Sequence, residues 1–257
     1  MSSVSHHWKI DFLRHASPKS IPKQVLIILN QPFTFSLLRR LWESTCWRCC
    51  ADGGANRLFD VVPTNLLDSY LPDLIKGDLD SLRSDVREYY TSKGVQVIKD
   101  DDQDSTDLMK CVVAVTEKEE KERECGCTHK SPDHQYDIIV LGGLAGRLDQ
   151  TIHLLSFLHK LRKTRKKVYA VTDDNIGWVL DSGEHCIEID HTILGLTCGL
   201  LPVGIDCSII STSGLRWNLT DHPSSFDGLV STSNHLVSEK DVWIKTTKPI
   251  WWTVELK

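Results

Sequence analysis

No run of apolar residues in the 257-residue chain approaches the length of a membrane span. The N-terminal stretch MSSVSHHWKIDFLRHASPKS lacks the apolar core of a secretory signal and carries only scattered basic residues. Basic residues are not in excess: 30 Lys and Arg stand against 35 Asp and Glu, a net charge of -5, so no basic field exists to draw in nucleic acid. The phosphate-binding pattern G-x-x-x-x-G-K-[ST] is absent, and so is G-x-G-x-x-G; GGLAGR at 142–147 has the wrong spacing. No internal repeat occurs. The nine cysteines are odd in number and scattered. With no signal they imply reduced thiols and a cytoplasmic location. Cys46 and Cys49 form one C-x-x-C, and Cys125, Cys127, His129 and His134 cluster nearby in sequence, but no second C-x-x-C exists to complete a zinc site. Buried or loop thiols are the expectation. Asn218 heads an N-L-T sequon, which is incidental without a signal.

What is present alternates in texture. Short apolar runs at 25–29, 73–75, 95–98, 137–141 and 167–171, and another ending at Ala51, are separated by helical patterns. The runs are apolar throughout, which suits parallel strands buried on both faces. Leu108, Cys111, Val112 and Val115 make one helical stripe; Leu148, Ile152, Leu155 and Leu158 make another. This predicts an α/β fold with an open, mostly parallel sheet over 23–173, preceded by a mobile extension over 1–22. The charged segment 117–135 reads as a helix tail and a solvated loop. From 174 to 257, short β-rich runs alternate with Gly, Pro, Ser and Thr, which predicts an antiparallel β-sandwich.

The polar motifs follow the strands. NQP, DGGANRL, GDLDS, DDDQDSTD and GGLAGRLDQ each come after a candidate strand. Ligands of open α/β sheets bind outside the carboxyl ends of the strands, so five such loops point to one site. The glycines of DGGAN and GGLAG allow close backbone approach to a ligand, with amides available for phosphate. In GDLDS, an extended backbone would aim Asp78 and Asp80 the same way, and two such carboxylates invite a magnesium ion. An Asx-turn before Ser81 is the local rival. The acidic stretch 100–107 follows the same logic. Asp104 is expected to cap the next helix with Asp107 in its first turn, Asp100 and Asp101 are solvated, and Asp102 and Gln103 face the site.

Six motifs, DGGANRL, GDLDS, DQDSTDLMK, GGLAGRLDQ, GLRWNL and STSN, occur in the order seen in eukaryotic thiamin pyrophosphokinases, and the chain resembles that family from about Val25 to its end. The resemblance implies transfer of a pyrophosphoryl group from ATP to thiamin, giving thiamin diphosphate and AMP, with Mg2+. It also implies a homodimer with thiamin near its interface, and no nucleic-acid or membrane partner. Carried over by position, it puts Asp78, Asp80 and Asp102 on the metal. Asp78, Asp80, Asp102, Asp104, Asp107, Arg147 and Asp149 become the catalytic set, with Asp102 or Asp104 orienting or deprotonating the thiamin hydroxyl. Asn30, Gln31, Asp52, Gly53, Gly54, Asn56, Arg57, Gln103, Gly142, Gly143 and Gly146 become ATP-side residues. Trp217, Ser231, Ser233 and Asn234 fall on the thiamin side, where an aromatic face suits a thiazolium cation. Without the resemblance, Trp217 would be read as sandwich core, and Ser233 and Asn234 as a turn. Relatives carry His where this chain has Ser105. The rivals are a pyrophosphokinase for another hydroxymethyl heterocycle, such as a pterin, and a catalytically silent thiamin binder. The intact acids argue against the binder.

Overall fold

The computed structural model describes residues 5–14, 24–125, 135–237 and 241–257. In chain order the elements are β1 (Ser5–Trp8), β2 (Gln24–Ile28), α1 (Phe35–Glu43), β3 (Thr45–Ala51), α2 (Gly54–Val61), β4 (Leu74–Gly77), α3 (Ser84–Ser92), β5 (Gln96–Lys99), α4 (Asp107–Glu124), β6 (Asp137–Leu141), α5 (Leu148–Leu161) and β7 (Val168–Val171). There follow β8 (Asn175–Leu180), β9 (Gly183–Ile187), β10 (Leu194–Leu201), β11 (Ser208–Ser213), β12 (His222–Ser224), β13 (Ser231–His235), β14 (Val242–Thr246) and β15 (Ile250–Leu256).

Strands β2 to β7 pair in parallel in the order β7-β6-β2-β3-β4-β5. Strand β2 shows why continuous apolar runs form them. Leu26 and Ile28 enter one core with α1, α2 and α3, while Val25 and Ile27 enter another with α4 and α5. Each fully buried aliphatic side chain contributes about 2 kcal/mol. A strand apolar on both faces carries little register information of its own, so its polar ends fix where it stops. The chain runs outward from β2 to β5 and then returns to β6 on the other side of β2. That reversal opens a crevice at the strand ends.

The strands of the second half divide between the parallel sheet and a second sheet. Strands β8, β15, β10 and β13 extend the parallel sheet antiparallel, giving ten strands. A five-stranded sheet, β1-β9-β14-β11-β12, packs on this extension. Ile187, Ile210, Val242 and Ile244 from it share a core with Trp178, Leu200, Trp252 and Val254. The mixed α/β class and β-rich second half agree with the sequence.

One expectation needs correction. Residues 5–14 are not a mobile extension: β1 pairs in parallel with β9, and Trp8, Ile10, Phe12 and Leu13 are buried. The alternation of Trp8, Ile10 and Phe12 is the apolar pattern behind this burial. Within 174–257 the named strands pair antiparallel throughout, so the one parallel strand of the smaller sheet comes from the N-terminus. The helix tail of 117–135 is the end of α4; 126–134, with Cys127, His129 and His134, lies outside the described residues. Cys46 donates from Sγ to the Gln24 carbonyl, and the buried Cys49 and Cys111 thiols lie 3.2 Å apart.

Candidate functional site

The carboxyl ends of β2, β3, β4, β5 and β6, five adjacent strands, surround one cavity of about 440 Å³. Of the residues singled out in the sequence, Asn30, Gln31, Asp52, Gly53, Asp78, Asp102, Gln103, Asp107, Gly143 and Arg147 line it.

At its floor, Asp52, Asp78 and Asp107 each bring one carboxylate oxygen within 4.8 Å of the others. Three elements make this convergence possible. Asp52 follows β3 with φ +42, a conformation Asp tolerates better than most residues. Asp78 follows β4, and Asp107 opens α4. Gly77 allows the close approach. A methyl group there would sit 2.7 Å from Asp52 Cβ and 2.9 Å from Asp107 Oδ1. Asp52 is 3% exposed; its Oδ2 accepts from the Ser81 N–H at 3.0 Å, and its buried Oδ1 has no partner. Burial pushes the Asp52 carboxyl up, the Ser81 N–H opposes this, and the Asp107 charge adds to it. Burial also raises Asp107, with Asp78 adding to the rise; the Asp78 N–H and Lys110 pull the other way. Three converging carboxylates, of which Asp52 is buried and keeps one oxygen without a hydrogen bond, are a donor set for a hard cation.

Asp80 and Asp102 stand outside this triad, and Asp52 and Asp107 take the places expected for them. The extended geometry assumed for GDLDS is broken at Leu79, φ +63, which turns Asp80 outward. The Asp80 N–H donates to Asp78 Oδ1 at 3.2 Å, the Asx-turn that was the local rival. Asp102 is exposed and accepts from the Asp104 N–H at 2.9 Å. Hydrogen bonding from Ser105, then from the Asp104 backbone, holds its carboxyl below the usual range. Asp104 does not cap α4. The N-cap is Thr106, whose hydroxyl lies 3.3 Å from His153 Nε2 instead. Asp100 and Asp101 pair with Lys76 and Lys99 at 3.5 and 2.6 Å.

The remaining polar residues knit the loops together. Gln31 Oε1 accepts from the Gly143 N–H at 2.7 Å and its Nε2 donates to the Ala145 carbonyl, tying the β2 loop to the glycine loop. Gly142 and Gly143 have φ +100 and +92, which explains glycine at both; Gly146, at φ +81, completes the turn. Gly54 packs α2 against the Ile28 carbonyl, where a side chain would collide. Asn56 binds the Ser81 carbonyl and the Arg83 N–H, so it supports the GDLDS loop. Arg57 donates to Asn30 Oδ1 at 2.9 Å. Arg147 and Asp149 form an exposed two-bond pair, Nε–Oδ1 3.1 Å and Nη2–Oδ2 2.5 Å, that lowers the carboxyl of Asp149. Sequence reasoning missed Gln150 and His153, which also line the cavity. Their signal was available: Arg147, Gln150 and His153 recur every third residue along one face of α5 and its cap.

The GLRWNL and STSN motifs are elsewhere. Ser231, Ser233 and Asn234 lie on β13, at the opposite edge of the ten-stranded sheet from β5. Seven interstrand steps separate β13 from β3, roughly 30 Å. Ser231 pairs in the ladder with Leu200, and Ser233, φ +56, borders a second cavity with Asp174 and Glu255. Trp217 is not core: it is 52% exposed, with His235 5.1 Å and Arg216 4.7 Å from its ring. Asn234 is 5% exposed and hydrogen-bonded to the Trp217 backbone. Among the described residues no helix is long and apolar enough to cross a membrane.

Comparison with known proteins follows the same division. The model of the thiamin pyrophosphokinase catalytic domain matches residues 38–170, and that of the vitamin B1 binding domain of the same family matches 184–251. Thiamine pyrophosphokinase 3 of Oryza sativa subsp. japonica is 38% identical over 243 residues, covering 90% of this chain and 86% of that protein. The enzyme of Saccharomyces cerevisiae is 30% identical over 279 residues, covering 93% and 87%. The crystal structure of yeast thiamin pyrophosphokinase superposes with a TM-score of 0.85 at 29% identity, over 98% of this chain and 91% of that one.

Proposed function

The chain belongs to the thiamin pyrophosphokinase family, and on that premise we propose that it transfers the pyrophosphoryl group of ATP to the hydroxyl of thiamin, with Mg2+. The observation that carries this reading is the Asp52–Asp78–Asp107 triad on the floor of a cavity lined by the glycine loop and Arg147. The donor set fits magnesium, because three carboxylates converge and the buried Asp52 among them keeps one oxygen without a partner.

In the proposed reaction the thiamin hydroxyl oxygen attacks the β-phosphorus of ATP. The bond from that phosphorus to the α-phosphate oxygen breaks, AMP leaves with that oxygen, and the hydroxyl proton passes to solvent as the new O–P bond forms. Magnesium, when held by Asp52, Asp78 and Asp107, neutralises charge on the phosphates. The chain supplies the positioning. Amides of the glycine loop and the Arg147 guanidinium receive phosphate oxygens. Asp102 is held in its low range by Ser105, so it orients the hydroxyl as a hydrogen-bond acceptor better than it removes the proton. Asp104 is outside the cavity and takes no such part.

Thiamin recognition rests on Trp217, whose exposed indole would stack on the substrate cation. The distance across the sheet supports a homodimer in which Trp217 of one copy meets the triad of another, with thiamin between them. A panel of thiamin and a hydroxymethyl pterin with ATP and Mg2+, resolved by chromatography, tests the reading. It predicts thiamin diphosphate and AMP in equal amounts, from thiamin alone. Thiamin monophosphate with ADP, or no product while thiamin still binds, would overturn it.

A further inference from the structure

We infer that Asn234 is a positioning residue that fixes the indole of Trp217, and that it does not itself recognise thiamin. The inference rests on the proposed stacking of thiamin on Trp217.

Residues 215–217 run beside β13. Leu215 bridges Leu236, and the Arg216 N–H donates to the His235 carbonyl at 2.9 Å. One residue further on, the backbone ladder ends and a side chain replaces it. Asn234 Oδ1 accepts from the Trp217 N–H at 3.2 Å, and its Nδ2 donates to the Trp217 carbonyl at 2.8 Å. The carboxamide acts as an additional peptide unit. Asn234 Oδ1 also accepts from the His235 N–H at 2.8 Å, so both lone pairs are committed; the second Nδ2 hydrogen is the one polar group of a 5%-exposed side chain that these bonds do not use. From the other side, Asn218 closes the turn through bonds of 3.1 and 2.8 Å to the Leu215 N–H and carbonyl.

An indole packed in a core is oriented by its neighbours. The Trp217 ring is half exposed, so its direction depends on where its backbone is fixed. Two bonds to the backbone N–H and carbonyl of one residue from a 5%-exposed side chain provide that fixation. Chemistry narrows the choice of residue. Aspartate has no N–H to give the carbonyl, and glutamine is one methylene too long for the same geometry. Holding an aromatic platform in advance removes an ordering cost from substrate binding.

The test is a double-mutant cycle on the thiamin KM, with the ATP KM and thermal melting as companions. Trp217→Ala should raise the thiamin KM. Asn234→Ala should raise it about tenfold, the equivalent of losing two modest hydrogen bonds, with the ATP KM unchanged. In the Trp217→Ala background, Asn234→Ala should have no further effect. Should Asn234→Ala fail to fold, the near-isosteric Asn234→Asp replaces it in the cycle and should also raise the thiamin KM. Equal effects of Asn234→Ala in both backgrounds would overturn the inference while leaving the stacking intact. So would an Asn234→Asp variant with an unchanged thiamin KM. An unchanged thiamin KM in Trp217→Ala alone would instead overturn the stacking itself, and the inference with it.

Discussion

Replacing Asp52 by Asn should make the metal-free protein more stable and the metal-treated protein less responsive. The triad oxygens lie within 4.8 Å of one another. At that separation two unit charges repel by about 3 kcal/mol at an effective dielectric near 20. Asp78 and Asp107 are partly exposed and screened, so about 1 kcal/mol per pair survives. Asp52→Asn removes two such pairs and can keep the bond from the Ser81 N–H through its amide oxygen. The gain of about 2 kcal/mol corresponds to roughly 5 °C in melting temperature for a chain of this size. Conversely, Mg2+ at a hundred times its Kd stabilises the native protein by about 2.7 kcal/mol, or roughly 7 °C, and the variant should lose most of that rise. Differential scanning fluorimetry across a Mg2+ titration measures both shifts, and Mn2+ binding followed by electron paramagnetic resonance reads the site without turnover. A variant with an undiminished Mg2+-linked shift and Mn2+ affinity would refute the metal role of Asp52. A variant that melts lower than wild type without metal would refute the repulsion.

Two further outcomes follow from the packing. Glu119 and Arg165 are both 5% exposed and joined at 2.6 Å, and Glu119 also accepts the Tyr136 N–H. Glu119→Ala should cost about 3–5 kcal/mol in urea unfolding by stranding a buried guanidinium, whereas replacing both partners with apolar residues should cost far less. His185 is buried, accepts from Trp8 Nε1 at 3.0 Å through Nδ1, and is pushed below its ordinary 6.5 by that burial. The unfolded chain then binds a proton that the folded chain does not. Stability from this contact is therefore present above about pH 6.5 and falls as pH drops through the depressed folded value. Melting profiles from pH 7.5 to 5 should show this slope, and His185→Gln should flatten it.

Much of this was legible in the sequence because each feature had a local cause. The apolar strands of the parallel sheet, both helical stripes and the polar loops at the strand ends all follow from periodicity and position. What could not be read depends on backbone turns or on distance. Asp80 stands apart from the triad because two carboxylates spaced by two face together only on an extended chain, and Leu79 is in the left-handed region. Asp52 has its place in the triad because Gly77 lets three elements converge, a relation between positions far apart in the chain. Asp104 looked like a cap by spacing, but Thr106 precedes the helix. The separation of Trp217 from the acids is set by strand order, which no local pattern encodes.

That separation gives the most direct test of the account. Asp107→Asn and Trp217→Ala would each be prepared, assayed alone at thiamin below its KM, and then mixed under conditions that exchange subunits. If one site is built from the triad of one copy and Trp217 of another, heterodimers contain one intact site. An equal mixture should then recover about a quarter of wild-type activity by random pairing of a twofold dimer. Activity no greater than the mean of the two variants assayed separately would contradict a site shared between copies.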